Sequence, residues 1–155
     1  RSSDLSVMTY FGAPIPDSNH SIQAVSAAIE IRNAIAARNQ QIKVDDTPER
    51  LAVDLGIGIH TGPVVVGNIG SDHRTDFTAI GDPVNVAHRL EKLARPDEIL
   101  VSEAVHRRVR SVVPMRFEGE RQLSGRAEPV HVYSIRADAK AVSPSESTSR
   151  STSQP

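Results

Sequence analysis

The chain has no cysteine among its 155 residues, which excludes disulfides, thiolate metal sites and thiol nucleophiles. No apolar run approaches the roughly 18 residues that a membrane-spanning helix needs, and no signal-peptide pattern is present. Charge of neither sign prevails: 18 Lys and Arg stand against 19 Asp and Glu, a formal net charge of −1. A polyanion is therefore not indicated as a general partner, and no basic run marks a nucleic-acid stripe. The six histidines lack both HxH and HExxH spacing, which speaks against a zinc site. No Gly-x-Ser-x-Gly elbow occurs. Gly56-Ile57-Gly58 has Thr61 where a dinucleotide fingerprint needs its third glycine, and no Gly-Lys-Ser/Thr follows Gly67 or Gly70 to make a P-loop.

What is present is a mixed order of helices and strands, an α+β arrangement with helices packed on a mostly antiparallel sheet. Val7 to Phe11 reads as a strand closed by the Gly12-Ala13-Pro14 turn. A helix is expected from about Ser18 to Arg38, capped by Asp17 or Ser18. Its apolar arc is Ile22, Val25, Ala28, Ile29 and Ile35, with Gln23, Ser26, Glu30 and Asn33 on the solvent side. Residues 39–50 are polar and read as a loop. Leu51 to His60 and Val64 to Val66 alternate as strands, and the glycines of the stretch 56–70 read as hairpin turns. Phe77 to Ile80 forms a short return strand. Ile99 to Val101 reads as a buried strand, Ser102 as the cap of a short helix to Val109, and Met115 to Glu118 with Val130 to Ile135 as a closing pair. From residue 137 onward Ser, Thr, Pro and Gln dominate, so a domain over 1–136 is expected to end in a disordered tail over 137–155.

The most informative stretch is Asp76-Phe77-Thr78-Ala79-Ile80-Gly81-Asp82-Pro83-Val84-Asn85-Val86-Ala87-His88-Arg89-Leu90. Asp82 is a good N-cap and Pro83 suits the first helical position, so a helix is expected from Val84 to about Ala94. It ends ahead of Arg95-Pro96. Asn85 and Arg89 are then one turn apart on one face. A guanidinium and an amide presented together beside a strand end suit a phosphorylated ligand, because Arg offers phosphate oxygens a fixed fork of donors. Taken alone, such a pair is more often a solvated helix face. His88 points off that face and His60 ends a strand, so both read as structural. Asp82 reads as a cap rather than a metal ligand.

With Gly56 to Gly70 before it and Val7-Met8-Thr9-Tyr10-Phe11-Gly12-Ala13-Pro14 upstream, the stretch resembles the catalytic domain of class III adenylate and guanylate cyclases, over residues 1 to about 136. The resemblance implies the ferredoxin-like nucleotidyl cyclase fold, with the first strand and helices missing. It also implies formation of cyclic AMP and pyrophosphate from ATP. Arg89 matches the arginine that neutralises the triphosphate as the ribose 3′-oxygen attacks the α-phosphorus. Asn85 matches the asparagine that orients the ribose, and Thr78 the residue that selects the purine. A hydroxyl there can donate to or accept from an adenine edge. The family works as a head-to-tail pair of cyclase domains, a homodimer being expected here, and each complete site holds two Mg2+ or Mn2+ ions on two aspartates. The expected location is cytoplasmic, without membrane contact by this segment and with any membrane anchor of the parent protein left open.

The N-terminus departs from that pattern. The first metal aspartate belongs to a Phe-x-Asp-x-x-Gly-Phe-type motif that does not occur in the chain. The second falls at Leu5, with Asp4 one position away, and the base-selecting lysine falls at Arg1. A one-residue displacement in a strand turns a side chain to the other face, so Asp4 serves as a metal ligand only if a bulge restores the register. Two explanations fit: a chain that starts partway into its domain, or a member that has lost its metal half. Two functions follow. One is an adenylate cyclase whose isolated fragment is inactive. The other is a non-catalytic cyclase-homology module for dimerisation or nucleotide-dependent regulation.

Overall fold

The computed structural model describes residues 5–46, 51–71, 74–123 and 125–143, without the side chains of 68–71 and 74–80. In chain order the described elements are α1 (His20–Asp45), β1 (Ile57–Ile59), β2 (Val65–Ser71), β3 (Arg74–Ile80), α2 (Asp82–Leu93), β4 (Ile99–Ser102), α3 (Glu103–Val109), β5 (Met115–Arg121) and β6 (Val130–Ile135). The main sheet runs β1-β4-β6-β5, and β2-β3 is a separate hairpin. β4 lies parallel to β1 and antiparallel to β6, while β5 and β6 pair antiparallel. This is the expected α+β fold.

The side-chain period of a strand sorts β4 between two layers. Ile99 and Val101 join Val25 and Ile29 of α1 and Val105 and Val109 of α3 on one face. Leu100 joins Val86 and Leu90 of α2, with Leu123 and Val132, on the other. Every residue of β4 is buried, as an apolar run in a strand covered on both sides requires. Full burial of a side chain such as Val86 or Leu90 contributes about 1.5–3 kcal/mol, so these two fix how α2 lies on the sheet.

Several elements differ from the sequence-based expectations. Residues 5–10 form no strand; Val7 is 91% exposed, so the β-branched composition there is not matched by burial on a sheet face. α1 continues to Asp45 through residues expected to form a loop. Gln40, Gln41 and Lys43 are good helix formers, and the Gln41 amide donates to Asp45 across one turn. Neither Asp17 nor Ser18 is the cap residue, which is Asn19, although the Asp17 carboxylate accepts the Asn19 N–H at 2.8 Å. Only Ile57 to Ile59 of the stretch expected as the Leu51–His60 strand is a strand, and it pairs with β4, not with β2. Gly56 and Gly58 are thus not hairpin turns; they bring the strand against α2.

Ordered packing also continues past residue 136, against the expected start of the tail at 137. Ala139 is 4% exposed in the α1–α3 core, and the Val142 N–H donates to the Ser26 hydroxyl at 2.8 Å. Arg32, buried on the apolar stripe of α1, donates to the carbonyls of Ile135 and Ala137. Residues 144–155, the rest of the expected tail, lie outside the described residues.

Candidate active site

α2 begins directly after the β2-β3 hairpin, and its start carries the polar residues singled out in the sequence. Val86 and Leu90 face the core at 0% exposure. Asn85 and Arg89, each one position earlier, therefore lie together along the rim of the buried stripe. Asn85 is exposed and Arg89 half-buried. Thr78 lies on β3, in register with Gly67 on β2, so strand and helix deliver Thr78, Asn85 and Arg89 in one continuous run of chain. Its side chain, like that of Asp76, is not among those described.

The helix start differs from expectation in one respect. Gly81, not Asp82, is the N-cap residue, and no side chain caps the helix. The Asp82 carboxylate instead accepts a hydrogen bond from Arg126 at 2.5 Å. Arg126 belongs to the loop between β5 and β6. The preceding Gly125 takes φ +83° and lies against the Arg89 guanidinium, so that a Cβ there would stand 3.1 Å from Nη2. Arg89 makes no hydrogen bond or ion pair with any described group. Sequence reasoning missed Gly125 and Arg126; their partners lie far away in the chain, Asp82 by 44 positions, and no spacing rule connects them.

Beside this cluster His60 follows the end of β1. Its Nδ1 is 2.6 Å from the hydroxyl of Ser102, which is 1% exposed and is, as expected, the N-cap residue of α3, though without a side-chain capping bond. Burial pushes the His60 pKa below the ordinary imidazole value, Arg126 adds to the shift, and Asp82 opposes it. A neutral His60 suits the structural role expected of it. His88 is exposed, 3.9 Å from Glu91.

Two predicted site residues, Arg1 and Asp4, lie outside the described residues. Leu5, where the second metal aspartate was expected, is 90% exposed. Among the described residues no group of three His, Asp or Glu side chains could hold a metal ion. A shallow cavity of about 130 Å³ lined by Leu93, Arg95, Leu100, Glu118 and Val132 lies at the opposite end of α2 and contains none of the predicted site residues.

The chain belongs to the adenylate and guanylate cyclase catalytic domain family, whose sequence profile matches residues 6–137. It is 32% identical over 143 residues to adenylate cyclase 1 of Rhizobium meliloti, covering 91% of this chain and 21% of that protein. The adenylyl cyclase CyaB of P. aeruginosa superposes with a TM-score of 0.76 at 31% identity, over 86% of this chain and 68% of that one. The guanylyl cyclase Cya2 superposes with a TM-score of 0.71 at 32% identity, over 86% and 65% of the two chains. The chain spans about a fifth of the length of the curated Rhizobium relative. Among the described residues no helix is long and apolar enough to cross a membrane.

Proposed function

We propose that this chain is part of the catalytic domain of an adenylate cyclase, which forms cyclic AMP and pyrophosphate from ATP. The observation that carries this reading is Arg89, a half-buried guanidinium that pairs with no described carboxylate, one turn from Asn85 on a helix fixed by Val86 and Leu90. As the ribose 3′-oxygen bonds to the α-phosphorus and the bond to the leaving pyrophosphate breaks, charge moves onto phosphate oxygens. The fixed fork of Arg89 neutralises that charge. The Asn85 amide, with both donors and an acceptor, orients the ribose. ATP rather than GTP is supported by the Thr78 hydroxyl and by the name of the Rhizobium relative.

The family resemblance calls for two Mg2+ or Mn2+ ions, which when bound activate the 3′-hydroxyl and stabilise the leaving group. Among the described residues no group of three or more His, Asp or Glu side chains could hold a metal ion. The carboxylates would come from residues outside the described set, such as Asp4, or from a paired domain. A second cyclase domain joined head to tail is supported by the β2-β3 hairpin, whose contacts are made chiefly within itself and whose Val65 is 75% exposed. A two-stranded ribbon is marginal without a surface to pack on. The need for ATP as substrate supports a cytoplasmic location for the segment.

One observation favours a second reading, a cyclase-homology module that dimerises or binds nucleotide without turning it over: the exposed Leu5 at the metal position. Incubation of the full-length protein with ATP and with GTP, each with Mg2+ or Mn2+, decides between them. Cyclic AMP as the main product is expected. Cyclic GMP in excess would overturn the adenylate assignment, and no product from either nucleotide would leave the module. The 155-residue chain alone is expected to form neither.

A further inference from the structure

The loop joining β5 and β6 touches α2 at three levels. At its base Leu123, 3% exposed, is packed with Val86 and Leu90. In its middle Gly125 lies on the Arg89 guanidinium, 3.1 Å and 3.4 Å separating the position of a Cβ from Nη2 and Nη1. At its far side Arg126 reaches Asp82, the first residue of α2. Two hydrogen bonds close the turn around Gly125: the Arg126 N–H donates to the Leu123 carbonyl at 3.1 Å, and the Gln122 amide donates to the Arg126 carbonyl at 2.6 Å. Asp82 and Arg89 stand seven positions apart, two helical turns along one face, with Asn85 between them. One loop therefore spans both ends of the face that carries the proposed phosphate-binding group.

We propose that this loop is a clamp for the Arg89 guanidinium and that the Asp82–Arg126 ion pair is the latch that sets it. Asp82 and Arg126 are positioning residues; the inference rests on the reading of Arg89 as a phosphate-binding group. An arginine side chain has several rotatable bonds, and a charge-assisted contact is strong only when the fork is already aimed. Gly125 supplies a flat backbone surface against the guanidinium, which its positive φ and missing side chain together permit. The latch holds that surface in place without occupying the donors of Arg89. Because the two latch side chains are 33% and 62% exposed, the pair is partly screened, and its effect is modest and weaker at high salt.

The test titrates the full-length protein with inorganic triphosphate by calorimetry, at low and high salt, and assays turnover in parallel. Asp82→Asn and Arg126→Gln are each expected to weaken triphosphate binding about 3- to 10-fold at low salt. The charge-reversed pair Asp82→Arg with Arg126→Asp should recover most of that loss. Unchanged affinity in both single variants, or no recovery in the reversed pair, overturns the clamp. Arg89→Ala is the reference. If it binds triphosphate as wild type does, the phosphate reading of Arg89 fails and the clamp falls with it. If binding follows the expected pattern but no cyclic nucleotide forms, the cyclase reading fails and the clamp stands.

Discussion

Gly58 and Glu91 meet backbone to backbone: a Cβ on Gly58 would stand 2.3 Å from the Glu91 nitrogen, and 2.4 Å from the Ala87 carbonyl oxygen. β1 thus lies directly under the middle of α2, between Asn85 and the helix end. Backbone atoms of a helix cannot rotate aside as a side chain can, so any substitution at Gly58 must lift the helix. Gly58→Ala is expected to cost about 1–3 kcal/mol of stability by overpacking and to lower turnover as well, because Asn85 and Arg89 move with α2. Gly67 on β2 has nothing within 4 Å of its missing Cβ, so Gly67→Ala should be neutral or slightly stabilising. Denaturant unfolding of the two variants checks this; equal stability for both would refute the close approach.

Arg89→Ala in the full-length protein should lower kcat/KM by about 100-fold or more while unfolding stability changes by less than about 1 kcal/mol. Its guanidinium is half-buried but outside the apolar clusters, so little packing is lost with it. Asn85→Ala, at an exposed position, should likewise leave stability unchanged and reduce turnover. Steady-state kinetics beside a denaturation curve separate the two quantities. Near-normal turnover of Arg89→Ala would remove it from the catalytic assignment.

Thr78→Val deletes one hydroxyl from a strand position that favours β-branched residues, so the fold should tolerate it. Loss of a single hydrogen bond to adenine is expected to reduce kcat/KM for ATP up to about 10-fold and to leave that for GTP nearly unchanged. The measured quantity is the ratio of the two specificity constants. A ratio equal to that of wild type would show that Thr78 does not read the base.

Stability should fall as the solution is acidified through the histidine range. His60 and His106 both have folded pKa values below the ordinary 6.5, in each case chiefly because burial disfavours the charged ring. The unfolded chain therefore takes up protons first on acidification. Their contribution is fully present above pH 6.5, is lost as pH falls below it, and levels off once the folded state is protonated as well. His60→Gln should flatten part of that slope. His106→Phe, which keeps a ring over Tyr133 where the stacked centroids are now 3.8 Å apart, should flatten a further part. Melting curves between pH 7.5 and 5.5, a range chosen around the ordinary imidazole value, test it; a flat profile in the wild type would contradict the assignment.

The readable parts of the sequence were the local ones. The arrangement of Val86 and Leu90 against Asn85 and Arg89 is a helical period, and the helix end before Arg95-Pro96 follows from the backbone limits of proline. Both appear as expected. Where an element depends on a neighbour, the pattern misled. Val7 to Phe11 has strand composition but forms no strand. The glycines at 56 and 58 resemble turn residues, whereas they serve a helix that crosses them some 30 positions later in the chain.

The same division holds for the site. Residues 76 to 90 by themselves determined the helix and the pair Asn85 and Arg89, because residues one turn apart on a helix are neighbours whatever the rest of the chain does; the family resemblance needed the stretches 7–14 and 56–70 as well. Only the tertiary structure decided that Asp82 turns from capping α2 to holding Arg126, and that Gly125 lies against the Arg89 guanidinium. Those contacts join segments whose separation in sequence carries no periodic signal. They exist because Leu123 and Val132 pack under α2 in the same core as Val86 and Leu90, which brings the loop between β5 and β6 to the start of the helix.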